Sequence, residues 1–294
     1  MSGAGGMAGA AGGPAPAADA PRRILVALDA SPDGQAAFRA ALDLAGALGA
    51  RIEAVHVEDE HVARAASLSL VREQVTVAGG RRRVEHLEVR RELRVRARRL
   101  REDAERTARA SGLRLAFRHE RGPVRGVLHQ AAGEADLVAA GVRGRSRIRG
   151  AGRTARTLAF RAPAPVLLAT HGRGRARSVT VAWDGSPGAE RALRLGARLA
   201  AALGGGMCVL EAGPGAAAGE EALGQRLEPR LRAAGVRASF IPTARGAAGV
   251  ARRLGDVGPG LLIAPRRLVG GERAELDRLL RASLGPVLVV GEAA

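Results

Sequence analysis

The chain has 294 residues, long for one domain and comfortable for two, so it can bury a core of ordinary size without disulfides or metal. Its single cysteine, Cys208 in the apolar run MCVLEA, excludes an intrachain disulfide framework and a multi-cysteine zinc site, and reads as a buried, inert thiol in a reducing cytoplasm. A net charge of +18 points at first to nucleic acid or an anionic membrane, but all 47 basic residues are arginine and aromatics make up only 2%, so the charge reads as the mark of a GC-rich genome and nucleic-acid binding as weak and non-specific.

Residues 1–21 have neither the basic start nor the leucine-type core of a signal peptide and read as a disordered tail. No later stretch reaches the roughly eighteen uncharged apolar residues that a membrane helix needs, so no membrane partner is expected. Ile24–Leu28 is a continuous apolar run, which predicts a strand buried on both faces. Ser31 and Pro32 then read as the N-cap and first position of a helix that runs to about Gly49, with Ala37, Ala41, Leu44 and Leu48 on one face. Residues 52–57 predict a second strand. It leads into HVEDEH, His56 to His61, whose alternating side chains favour a solvated acidic turn over a metal site. Arg81–Arg83 read as a solvated loop, and 84–110 as a long helix with arginine–glutamate pairs on its exposed face. A third strand at 114–120, a helix at 124–133, a fourth strand at 135–140, a helix at about 152–161 and a fifth strand at 165–169 complete the pattern.

The pattern then repeats. Residues 24–50 align without a gap on 179–205, pairing Asp29 with Asp184 and Ser31–Pro32 with Ser186–Pro187. A second block pairs 121–140 with 245–264, and APVLLA at 164–169 matches GPVLVV at 285–290. Three blocks in the same order predict two α/β domains, 22–170 and 178–294, each a doubly wound five-stranded parallel sheet flanked by helices, with a linker of solvated charge at 171–177. The closing strands are apolar edges, so the two copies are expected to pair within the chain as a pseudo-dimer, with further homodimerisation left open.

The stretch GVRGRSRIRGAGRT, 141–154, begins where the fourth strand ends, the edge at which open parallel sheets bind ligands. Gly141 and Gly144 would let backbone amides approach a phosphate, and Arg143, Arg145 and Arg153 would add charge-assisted contacts. Gly-x-x-Gly is a weak signal by itself, and neither a Walker loop nor the dinucleotide glycine pattern is present.

Taken with ILVALDASPDGQAA, AVHV, RGPV, ADLVAAGVRGRS and APAPVLLA, the stretch resembles the universal stress protein family in its tandem form. The resemblance implies ATP lying across the strand ends. Asp29 and the backbone near Ala27 would hold ribose and adenine, Val57 would line the base, and Gly141, Gly144 and a later glycine followed by Ser or Thr would cradle the phosphates. The family separates its last two glycines by nine residues; here seven separate Gly144 from Gly152, Arg153 stands at the hydroxyl position, and Thr154 follows it. In the second copy Pro265 replaces the first glycine and removes an amide donor, so that site reads as degenerate. The expectation is therefore a cytoplasmic, ATP-binding regulatory module with one site, magnesium entering only with ATP. Two alternatives stay open: an interaction protein with both sites dead, and a slow ATPase, for which no catalytic residue is nominated.

Overall fold

The computed structural model describes residues 21–59, 73–75, 81–83, 86–144, 150–173, 178–204, 206–213, 219–270 and 273–292. The expected tail up to residue 20, His61, Arg145, Arg175 and Arg177 lie outside the described residues.

The first half runs β1 (Arg23–Ala27), α1 (Pro32–Leu48), β2 (Arg51–Asp59), β3 (Glu73–Val75), β4 (Arg81–Arg83), α2 (His86–Ala110), β5 (Leu115–Gly122), α3 (Val124–Ala132), β6 (Leu137–Gly141), α4 (Arg153–Arg161) and β7 (Val166–Ala169). The second half runs β8 (Val179–Trp183), α5 (Pro187–Ala202), β9 (Met207–Glu211), α6 (Gly219–Ala233), β10 (Ala238–Pro242), α7 (Gly246–Val257), β11 (Leu261–Pro265), α8 (Arg273–Ala282) and β12 (Val287–Val290). The sequence predicts a solvated loop at Arg81–Arg83, and the structure differs. Arg81–Arg83 form a strand that pairs antiparallel with Glu73–Val75 as a separate two-stranded ribbon, because backbone pairing in so short a hairpin does not require an apolar run.

Local chemistry sets the entry to α1. The Ser31 hydroxyl accepts the Gly34 N–H at 3.0 Å, Pro32 occupies the first turn, and Gly49 ends the helix at φ 64°. Ser186 caps α5 in the same way, accepting from the Ala189 N–H at 3.2 Å.

Ten strands form one sheet in the order β10-β9-β8-β11-β12-β7-β6-β1-β2-β5. Each half is parallel, and its strands lie in the order third, second, first, fourth, fifth. Strand residues alternate between two apolar layers, Ile24 and Val26 packing towards α1 and α2 while Leu25 packs towards α3 and α4. The same division places α5 and α6 on the first face and α7 and α8 on the second. The halves meet at the antiparallel pair of β7 and β12, in register Val287↔Leu168, Leu288↔Leu167, Val289↔Val166. Leu167 and Leu288 are equivalent positions in the repeated sequence, so a pseudo-twofold axis passes through this pair. Among the described residues no helix is long and apolar enough to cross a membrane.

Candidate functional site

In each half the strand order reverses between the first and fourth strands, and in the first half the C-terminal ends of β1, β2 and β6 open a crevice there. The crevice is a cavity of about 340 Å³. Ala27 and Asp29 enter it from β1, Val57 from β2, Gly141 and Gly144 from β6, and Gly152, Arg153 and Thr154 from the start of α4. Val55, His56, Val124 and Leu128 are among the residues that line the remainder, giving the cavity an apolar end and an end rich in backbone amides.

The two glycines of the β6 loop do different work. A Cβ on Gly141 would lie 2.5 Å from the Gly34 N and 2.7 Å from the Asp33 carbonyl carbon, so this glycine lets the first turn of α1 pack directly on the end of β6. A Cβ on Gly144 would meet nothing closer than Asp29 Oδ2, at 3.6 Å. Gly152 closes the loop by donating its N–H to the Val142 carbonyl at 2.7 Å, and it caps α4 with no side chain. The first-turn N–H groups of α4 thus keep the positive end of the helix dipole directed at the cavity.

Asp29 holds the turn into α1: its Oδ1 accepts from both the N–H and the hydroxyl of Ser31. Arg143 behaves otherwise than its place in the loop suggests. It does not line the cavity, because its Nε and N–H both reach Asp33 Oδ2 at 2.9 Å. Asp33 is buried and also accepts the His171 N–H at 2.8 Å, so one carboxylate ties together α1, the glycine loop and the segment after β7. Burial alone would raise the Asp33 carboxyl. The bonds from the Arg143 guanidinium, the His171 N–H and the Arg143 N–H outweigh it and hold the group below the ordinary carboxylate value.

His56 stacks on His119, with ring centroids 5.6 Å apart, as the β2–β5 register places them opposite each other. Burial pushes His56 below the ordinary histidine value, and the neutral ring donates Nδ1–H to the Leu28 carbonyl at 3.0 Å. His119 faces Glu58 at 3.3 Å. Among the described residues no group of three His, Cys, Asp or Glu is placed to hold a metal.

Two residues that sequence reasoning did not single out grip the cavity wall from the second half. Asp277 of α8, itself buried, accepts the Ala151 N–H at 2.8 Å. A Cβ on Gly150, whose φ is 88°, would lie 2.5 Å from Asp277 Oδ2, so glycine is required there for both conformation and space. Arg266 donates Nε to the Ala159 carbonyl at 2.9 Å and an Nη to the Ala162 carbonyl at 2.6 Å, satisfying the C-terminal end of α4. Arg266 directly follows Pro265, in the segment that corresponds to the glycine loop of the first half.

The equivalent crevice of the second half is built differently. β11 ends in the buried Pro265, and Leu268 is buried at the position equivalent to Gly144. A Cβ on Gly213 would lie 2.7 Å from the Asp184 carbonyl oxygen, so the chain leaving β9 packs against the backbone of the aspartate equivalent to Asp29. The Cys208 thiol in β9 is half-buried rather than fully buried, and burial pushes it up. Arg173 is exposed and donates to the Arg281 carbonyl at 3.2 Å.

The profile of the universal stress protein family matches residues 21–170. A universal stress protein from Archaeoglobus fulgidus is similar in structure, with a TM-score of 0.68 at 16% identity, covering 92% of this chain and 96% of that one. A functionally unknown protein from Pseudomonas aeruginosa gives 0.54 at 16% identity, covering 94% of each chain. The cytoplasmic domain of a prokaryotic cation chloride cotransporter gives 0.52 at 10% identity, covering 94% of this chain and 96% of that domain, a likeness of fold alone. No curated protein matches the chain.

Proposed function

The chain belongs to the universal stress protein family, and we propose that it is a regulatory module that binds one ATP-class nucleotide in the crevice of its first half. One observation carries this reading. Ala27, Asp29, Val57, Gly141, Gly144, Gly152, Arg153 and Thr154, drawn from separate parts of the sequence, line a single cavity at the switch point of the sheet.

The fit of the group rests on the lining. Apolar Val55, Val57, Val124 and Leu128 suit a base, and Asp29 is an acceptor suited to ribose hydroxyls. At the other end, Gly144 leaves space beside the uncapped start of α4, where Arg153 and Thr154 supply a guanidinium and a hydroxyl to phosphate oxygens. Thr154 takes the hydroxyl role that the shortened loop denies to position 153. Magnesium would enter with the nucleotide. The second half, with Pro265, Leu268 and Gly213 in the way, serves as an intramolecular partner that braces the first through the β7–β12 pair, and the module acts in the cytoplasm.

Titration calorimetry with ATP, ADP and AMP tests the reading. It expects one site per chain, with affinity falling as phosphates are removed; no heat at millimolar ATP, or two equivalent sites, would overturn it and favour the interaction-protein alternative.

A further inference from the structure

Beside the nucleotide crevice, α3, α4 and α8 enclose a second concave site of about 530 Å³. Arg125 and His129 face it from α3, Arg153, Arg156 and Arg161 from α4, and Arg273 from the second half. We propose that this groove binds a short chain of closely spaced phosphates, independently of a nucleotide in the crevice.

An arginine-rich composition does not by itself produce such a cluster. On α2, equally rich in arginine, many of the arginines pair with carboxylates of the same helix: Arg98 meets Glu102 at 2.9 Å, Arg101 meets Glu105 at 2.7 Å and Arg96 meets Glu92 at 3.3 Å. Neither α3 nor α4 contains an acidic residue. Arg125, Arg153, Arg156 and Arg161 have no carboxylate partner among the described residues, so like charges from two helices converge on one concavity without compensation. Arg153 and Arg156 stand three residues apart on one face of α4, and Arg161 reaches the groove from the far end of the helix, about 140° round from Arg156, with Thr157 and Phe160 between them. Arg125 and His129 form a facing pair four residues apart on α3. Forked donors gathered from two helices around one concavity match a string of phosphates better than a single carboxylate or a flat duplex. Phe160 is the only aromatic side chain of the lining apart from the His129 ring, leaving little for nucleic-acid bases to stack on.

Arg153 also lines the nucleotide crevice. The phosphates in the groove could therefore belong to a free polyphosphate or to the tail of a nucleotide reaching past Arg153. Two variants separate these sources. Gly144→Asp places negative charge in the crevice and leaves the groove residues in place, whereas Arg125→Gln/Arg156→Gln/Arg161→Gln removes three of the five groove arginines and none of the crevice lining.

The experiment is calorimetric titration of the full chain with inorganic tripolyphosphate at an ionic strength of about 0.15 M. Tripolyphosphate should bind one site, keep its affinity within about twofold in Gly144→Asp, and lose about tenfold or more in the triple variant, as three charge-assisted contacts are removed. The control Arg98→Gln/Arg101→Gln/Arg106→Gln makes the same change in net charge on α2 and should alter affinity less than about twofold. An equal loss in the control would mean diffuse attraction, and loss of binding in Gly144→Asp would mean that the groove has no site of its own. Displacement of tripolyphosphate by a short DNA duplex at lower concentration would reassign the groove to nucleic acid. Each of these results overturns the proposal, as does absence of binding to the wild type. A failure of ATP to bind leaves the tripolyphosphate measurements standing, so the two readings fail separately.

Discussion

The Asp277 carboxylate accepts a hydrogen bond from the Ala151 N–H at 2.8 Å, joining α8 of the second half to the loop that opens α4 in the first. The bond is buried, so deleting the acceptor leaves the Ala151 amide without its protein partner. Asp277→Ala should cost about 1–3 kcal/mol of stability, and Asp277→Asn, which keeps an acceptor oxygen, should cost less. Chemical denaturation of both variants checks the order. An equal cost for the two would mean that the carboxylate charge, shared with Arg273 at 3.5 Å, outweighs the bond to Ala151.

Gly141 and Gly144 should respond in opposite ways to one added methyl group. In Gly141→Ala the Cβ runs into the Gly34 N and the Asp33 carbonyl carbon, both backbone atoms that cannot swing aside, and overpacking of this kind costs about 1–3 kcal/mol. Gly144→Ala has ordinary contact distances and should leave the melting temperature nearly unchanged. Thermal unfolding of the two variants side by side decides it.

Asp33 ties stability to acid pH. Its folded-state carboxyl titrates below the ordinary value of 3.8, so the stabilisation is complete above that pH and is lost as pH falls through the depressed folded value. Asp33→Asn should lower stability at neutral pH and flatten the loss below about pH 4. Arg143→Gln should move the same acid limb towards higher pH, since the guanidinium bond is the largest single influence lowering the carboxyl. Urea midpoints across the acid range test both.

His56 acts in a second window. Its folded-state value lies below 6.5, so the unfolded chain takes up the proton first, and stability falls as pH drops from about 6.5 towards the depressed folded value. His56→Asn should remove this dependence in the range just below pH 6.5 while leaving the Asp33 limb in place. An unchanged slope in that interval would contradict the assignment.

Much of this architecture is legible in the sequence because it is local or repeated. The strand at Ile24–Leu28, the Ser31 cap and Pro32 announce β1 and α1, and the ungapped match of 24–50 with 179–205 announces the second half. The convergence of Gly141, Gly144 and Gly152 with Asp29 was readable through the family resemblance. What escaped depends on distance in the chain. Asp277 lies 126 positions from Ala151 and Arg266 lies 107 from Ala159, and no pattern on α8 or after β11 marks either as a clamp. Arg143 looks like a phosphate ligand until the buried Asp33, a common type of first-turn residue, is seen to capture it. The His56–His119 stack follows only from strand register, and β3 and β4 are three-residue strands without apolar alternation.

A nucleotide is expected in the first crevice and not in the second. Amide hydrogen exchange of the full chain, with and without ATP, addresses it by location. ATP should slow exchange at Gly144 and at the opening turn of α4, residues 153–155, and leave residues 266–269 after β11 unchanged. Protection confined to 266–269, or no protection at 153–155 under saturating ATP, would contradict it.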